Sequence, residues 1–167
     1  RPLEPKPGVA ERWEVDAGGT RYTFHLRKDA KWSNGDPVTA GDFVYSYRRM
    51  LSPALGAEYA YMLHVLKNGR AFHEGTIEDP EALGVRAADD HTLEIELEKP
   101  APYFVRMLNH YSFYPVHPPT VEAHGGATDR SNTWSTQPET YVGNGPFTLR
   151  EWLLNRHVYV RKSDTYW

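Results

Sequence analysis

His110, His117 and His124 recur at intervals of seven, and His64 and His73 stand nine residues apart. Clustered imidazoles are the first candidates for metal chemistry. None of the eight histidines, however, shows the H-x-x-x-H spacing that places two rings on one helical face. Pro115, Pro118 and Pro119 also interrupt any single helix through the trio. No metal site is expected. Nucleophilic chemistry fares no better: no G-x-S-x-G elbow is present, and Ser33, Ser46, Ser52 and Ser112 fall in turn or helix contexts. The string Gly143-Asn144-Gly145-Pro146 suggests a phosphate loop. Yet it lacks the third glycine and the Lys-Ser/Thr pair, and a strand follows where a helix is required. Its local reading is a tight turn with a glycine at positive φ. Glu94, Glu96 and Glu98 alternate along one strand and read as a solvated face. No catalytic residue can be nominated, and no cofactor is implied.

Composition narrows the function classes further. The chain has 167 residues, with 19 Lys and Arg against 22 Asp and Glu, a net charge of −3. That balance lacks the basic stripe of a nucleic-acid binder. No apolar run approaches the roughly 18–20 residues that cross a bilayer. The absence of cysteine excludes disulfides, thiolate metal sites and a cysteine nucleophile. Five Trp, eleven Tyr and six Phe supply large flat faces, suited to a sheet core or to a ligand-lined surface. The opening Arg1-Pro2-Leu3-Glu4-Pro5 carries neither a start methionine nor an apolar leader, and is expected to be the middle of something longer.

The elements that position these residues follow from periodicity. Residues 1–12 read as extended. Tyr22, Phe24 and Leu26 alternate with polar neighbours and predict a half-buried strand over 21–27. Thr39 and Asp42 resemble a capping box ahead of Phe43, Val44, Tyr47, Met50 and Leu51, which predict a helix over 40–51. Residues 57–74 read as a second helical stretch, and Asp79-Pro80-Glu81 as a capped turn. Gly84–Ala88 and His91–Leu97 predict a hairpin across Asp89-Asp90. Short helices are expected at 103–109 and 120–124, an extended aromatic run at 111–115, and a closing hairpin of 146–152 with 157–162 turning near Asn155.

Longer strings carry more information than any short motif. "PGVAERWEV", "YTFHLRKDAKWSNGDPVTAGDFVYSYRRML", "LGVRAADDHTLEIELEKPAPYFVRML" and "VGNGPFTLREW", with "SDTYW" at the end, run in the same order as in one family. The chain resembles the extracytoplasmic solute-binding proteins of peptide ABC importers, the oligopeptide- and dipeptide-binding group. The departures are a few extra polar residues at 125–132, read as a surface-loop insertion, and length. Family members are much longer, with two lobes closing on a ligand.

The resemblance implies an α+β fold of antiparallel hairpins with packed helices. Residues 1–116 would form the family's side domain and residues 117–167 a segment returning to the first lobe of a type II periplasmic-binding-protein fold, making the chain a fragment. It implies peptide capture in the periplasm or on the outer face of the cytoplasmic membrane, and delivery to a membrane-embedded ABC permease. Nickel, haem or an oligosaccharide is the alternative solute on this scaffold, and a non-enzymatic interaction module the alternative class. Tyr59 matches a family tyrosine that packs on bound peptide, with helix packing as its other reading. His110 aligns with a position lining side-chain pockets. Asn144 and Gly145 match a turn near the lobe crossover, with a structural role as their other reading. Trp32 is expected in the core. Missing lobe parts would expose the strand of Phe147, Leu149 and Trp152, so a homodimer through an open sheet edge is expected.

Overall fold

The computed structural model describes residues 4–167, so the extended reading of residues 1–3 lies outside the described residues. The fold is α+β, and the chain divides into two compact units. The first holds the described residues up to Arg27 together with Thr39–Pro115, and the second holds Lys28–Val38 and Val116–Trp167.

The first unit is built on an antiparallel sheet of β1 (Ala10–Val15), β2 (Arg21–Leu26), β3 (Val85–Asp89) and β4 (Thr92–Glu96), in the order β1-β2-β4-β3. The alternation in β2 does what period 2 demands: Tyr22, Phe24 and Leu26 are buried while their neighbours are not. Register then matches apolar to apolar, Tyr22 opposite Ile95 and Phe24 opposite Leu93. β1 is mostly exposed and has no clean alternation. Its place in the sheet comes from pairing with β2, a contact between strands that no local pattern announces.

Helix α1 (Ala40–Leu51) covers the buried face of that sheet. The Asp42 carboxylate accepts the Thr39 backbone N–H at 2.9 Å, the reciprocal half of the expected capping box. Phe43, Val44, Tyr47 and Leu51 are buried as their spacing requires. Behind α1 an aromatic chain fills the core. Tyr22 meets Phe104 edge-on at 4.9 Å, Phe104 meets Phe113 at 6.2 Å, and Phe113 meets Tyr47 at 5.9 Å. Short α3 (Phe104–Met107) carries the second ring of that series, Phe104.

Two local expectations are corrected. The helical stretch over 57–74 breaks into a 3-10 helix at Ala60–Val65 and a five-residue helix α2 (Gly69–His73). Between them Leu66 pairs with Leu97, and Lys67 donates its N–H to the Glu96 carbonyl at 2.9 Å. Those two residues are drawn out by the end of the sheet, and Asn68 at φ 60° turns the chain back. The aromatic run after His110 is also not extended throughout. Tyr111–Phe113 form one 3-10 turn, because the His110 ring accepts the Ser112 N–H as a side-chain cap.

The second unit packs around Trp32, which is 1% exposed and takes the expected core position. Its helix α4 (Pro118–Ala123) starts at proline, whose missing N–H costs nothing at the first turn. The closing hairpin pairs β5 (Phe147–Leu153) with β6 (His157–Lys162), and Asn155 turns it at φ 59°. Every residue of β6 is exposed. Within β5 Leu149 is buried, so it is not uncovered in the way that Phe147 and Trp152 are.

Candidate functional site

Tyr59 and His110 are brought together from distant positions in the chain. Tyr59 precedes the 3-10 helix Ala60–Val65, His110 caps the turn after α3, and their ring centroids lie 5.5 Å apart. Tyr111 stacks on His110 at 4.2 Å and meets Tyr59 edge-on at 5.5 Å, while Tyr61 lies 6.0 Å from Tyr59. Tyr61 and Tyr111 are each 57% exposed. This is a surface cluster of flat, partly polar faces, the kind of surface that takes up planar groups.

Its electrostatics are mild. The hydrogen bond with Tyr59 is the main influence raising the Tyr111 phenol above its usual value, helped by desolvation and by Glu58. The His110 Nδ1 lies 3.3 Å from the Ser112 backbone nitrogen and 3.0 Å from its hydroxyl. With Nδ1 accepting, a neutral His110 ring carries its proton on Nε2. The cluster holds donors, acceptors and ring faces, but no paired nucleophile and base.

Asn144 and Gly145 belong to the second unit and to a different local setting. The preceding Gly143 exchanges contacts with the turn after Trp32: the Ser33 N–H donates to the Gly143 carbonyl at 2.9 Å, and the Gly143 N–H donates to Ser33 Oγ at 3.3 Å. The expected tight turn with positive φ is not formed, since neither Gly143 nor Gly145 lies in the left-handed region. Docking on Ser33 holds the segment open. Gly145 faces open space, where a β-carbon would meet nothing within 4 Å.

His117 and His124 have partners of their own. His117 is buried against Trp32 at 5.3 Å, with Nε2 3.0 Å from Asp36 Oδ2 and Nδ1 2.8 Å from the Thr120 hydroxyl. His124 Nδ1 donates to the Thr120 carbonyl at 2.8 Å. Among the described residues no set of three His, Cys, Asp or Glu side chains is placed to hold a metal ion. In the first unit a shallow cleft of about 700 Å³ is lined by Arg21, Lys67, Arg86, Glu81, Glu94 and Glu96 among others. Its charges neutralise one another: Lys67 meets Glu96 at 3.1 Å and Arg86 pairs with Glu94. Glu94 and Glu96 are therefore ion-paired rather than a bare acidic face.

Residues 4–167 match the family described as bacterial extracellular solute-binding proteins, family 5 Middle. The chain belongs to this solute-binding family. It is 44% identical over 167 residues to the periplasmic oligopeptide-binding protein OppA of Escherichia coli K12, covering 98% of this chain and 29% of that protein. The dipeptide-binding protein DppE of Bacillus subtilis 168 is 41% identical over 165 residues, again with 98% and 29% coverage. In solved structures, Haemophilus influenzae OppA in complex with the peptide RPPGFSPFR superposes with a TM-score of 0.88 at 40% identity, covering 97% of this chain and 30% of that one. The chain thus spans under a third of the length of these relatives. Among the described residues no helix is long and apolar enough to cross a membrane.

Sequence reasoning singled out Tyr59 and His110 only through the resemblance. Tyr61 and Tyr111 were missed as cluster members, and their one available signal was the density of tyrosine around those two positions.

Proposed function

We propose that this chain contributes to a peptide-binding component of an ABC-type importer, which captures oligopeptides in the periplasm or at the outer face of the cytoplasmic membrane and hands them to a membrane-embedded permease. The observation that carries this reading is the family match along all of residues 4–167, in company with relatives named for dipeptides and oligopeptides. Those names favour peptides over nickel, haem or an oligosaccharide, and over a general interaction module.

In this reading Tyr59 and His110 face the ligand, and the clustered rings of Tyr61 and Tyr111 widen that surface. Aromatic faces and phenol hydroxyls suit a binder of many peptides, because they contact backbone amides without demanding one side chain. Asn144 and Gly145 are proposed as a second contact, offered by the segment docked on Ser33. Residues 1–116 are assigned to the side domain and 117–167 to the segment returning to the first lobe. Capture needs no covalent step, so the chain is proposed to be no enzyme. A second copy of the chain is a further partner, pairing through the exposed β5–β6 hairpin.

The test is nuclear magnetic resonance of the chain with mixed di- to pentapeptides at millimolar concentration. Shifts at the Tyr59 and His110 rings, removed by Tyr59→Ala, support the reading. Peptides that leave both rings unmoved overturn it.

A further inference from the structure

His64 and His73 meet across the break between the 3-10 helix Ala60–Val65 and α2. His64 Nε2 lies 2.8 Å from His73 Nδ1, and the ring centroids are 5.1 Å apart. Sequence spacing concealed the pair, because nine residues fit no helical repeat that aligns two imidazoles. The encounter is built by the intervening turn. Asn68 adopts φ 60°, and its side chain donates to the Ala82 carbonyl at 2.7 Å. Gly69 packs so closely that a β-carbon there would sit 2.5 Å from the Leu63 carbonyl oxygen. The chain therefore doubles back at a fixed place, and the imidazoles are held together before any ligand arrives.

We propose that His64 and His73 form a two-imidazole binding site for a divalent late-transition-metal ion, with Zn2+ as its simplest representative. Two neutral imidazoles can share only one proton between facing nitrogens, so one ring donates and the other accepts. An ion takes that position when the donor ring moves its proton to its other nitrogen, leaving two lone pairs directed at the metal. No proton leaves the neutral pair in that exchange. Zinc–nitrogen bonds of about 2.0–2.1 Å at a tetrahedral angle need nitrogens about 3.3 Å apart. Small rotations of both rings from 2.8 Å supply the difference.

The surroundings permit this occupant and limit its strength. Both rings are half-buried, open enough for a hydrated ion to approach. Arg70 and Glu74 lie beside His64 and both act electrostatically on it, with opposite signs, and they pair with each other at 3.9 Å. No third side chain completes a three-residue ligand set among the described residues, so water fills the remaining positions. Imidazole donors select zinc, copper or nickel over the hard, oxygen-seeking magnesium ion.

The test is titration calorimetry of the untagged 167-residue chain with Zn2+ in a non-coordinating buffer at neutral pH. The expected result is one site, silent toward Mg2+, weakened by more than about tenfold in His64→Gln and in His73→Gln. Zn2+ should also raise the thermal midpoint of the parent chain and leave that of each variant unmoved. Absence of Zn2+ binding, or binding undiminished in both variants, overturns the site. Should either variant fail to fold by circular dichroism, imidazole nitrogen resonances of the parent chain decide. Zn2+ must then move His64 and His73 and leave the other six histidines in place. Movement at those six instead refutes the proposal.

Discussion

Tyr47 donates its phenolic hydroxyl to the carbonyl of Phe113 at 3.2 Å, from a ring that is 2% exposed, across 66 residues of chain. The bond ties α1 to the turn that carries His110 and Tyr111. Burial alone pushes the Tyr47 phenol far above its usual value, so the group is a neutral donor at neutral pH. Tyr47→Phe preserves the edge-on contact with Phe113 and leaves that carbonyl without the hydroxyl. We expect a loss of about 1–3 kcal/mol of stability. Urea unfolding of the two proteins checks this, and an unchanged midpoint would mean that the hydrogen bond contributes nothing net.

Two glycines should differ sharply in their tolerance of alanine. At Gly69 the added carbon collides with the Leu63 carbonyl oxygen, a backbone atom that cannot rotate aside. Gly69→Ala should cost about 1–3 kcal/mol and separate His64 from His73. At Gly145 the added carbon meets nothing within 4 Å. Gly145→Ala should stay within about 0.5 kcal/mol of the parent. Thermal melts of both variants, run side by side, test the pair of expectations. A peptide-binding defect in the stable Gly145 variant would mark that residue as a ligand contact.

Two hairpin-turn carboxylates contribute to stability on the acid side. Asp16 accepts the Arg21 N–H at 2.9 Å and the Thr20 N–H at 2.8 Å, and Asp89 accepts the His91 N–H at 2.8 Å. These bonds hold both carboxyls below the usual aspartate value, with the Arg21 and His91 amides the leading causes. A depressed folded-state pKa means that the unfolded chain binds more protons in the window between the two values. The stabilisation is whole above the unfolded value of about 3.9. It is lost as pH falls through the folded-state value. Asp16→Asn should flatten the pH dependence of unfolding below about pH 4, and a slope identical to the parent's would count against the assignment.

The closing hairpin exposes Phe147, Trp152, Val158, Tyr159 and Val160 on strands that, among the described residues, have no further strand partner in their sheet. An open edge of this kind pairs readily with another chain. Concentration-dependent light scattering should show self-association, and Phe147→Glu should suppress it while leaving the melting temperature in place. A monomer at every concentration refutes the homodimer.

Much of the first unit was legible in one dimension. The alternation of Tyr22, Phe24 and Leu26, the spacing of Phe43, Val44, Tyr47 and Leu51, and the Asp79 cap are local signals, and each produced its element. The family resemblance was legible too, since long ordered strings specify a lineage better than any spacing of reactive groups. Other features waited for the tertiary structure. The helix expected through residues 57–74 was broken because Leu66 and Lys67 gain sheet partners in Leu97 and Glu96, a long-range exchange that outweighs helix propensity. That same break put His64 against His73. The strand β1, with its irregular exposure, exists because β2 offers it hydrogen bonds, and β2 lies across a turn rather than within any periodic window. The ring cluster of Tyr59, Tyr61, His110 and Tyr111 likewise required tertiary closure. Periodicity reports which face of an element is buried, but which surface side chains meet depends on where separate elements come to rest.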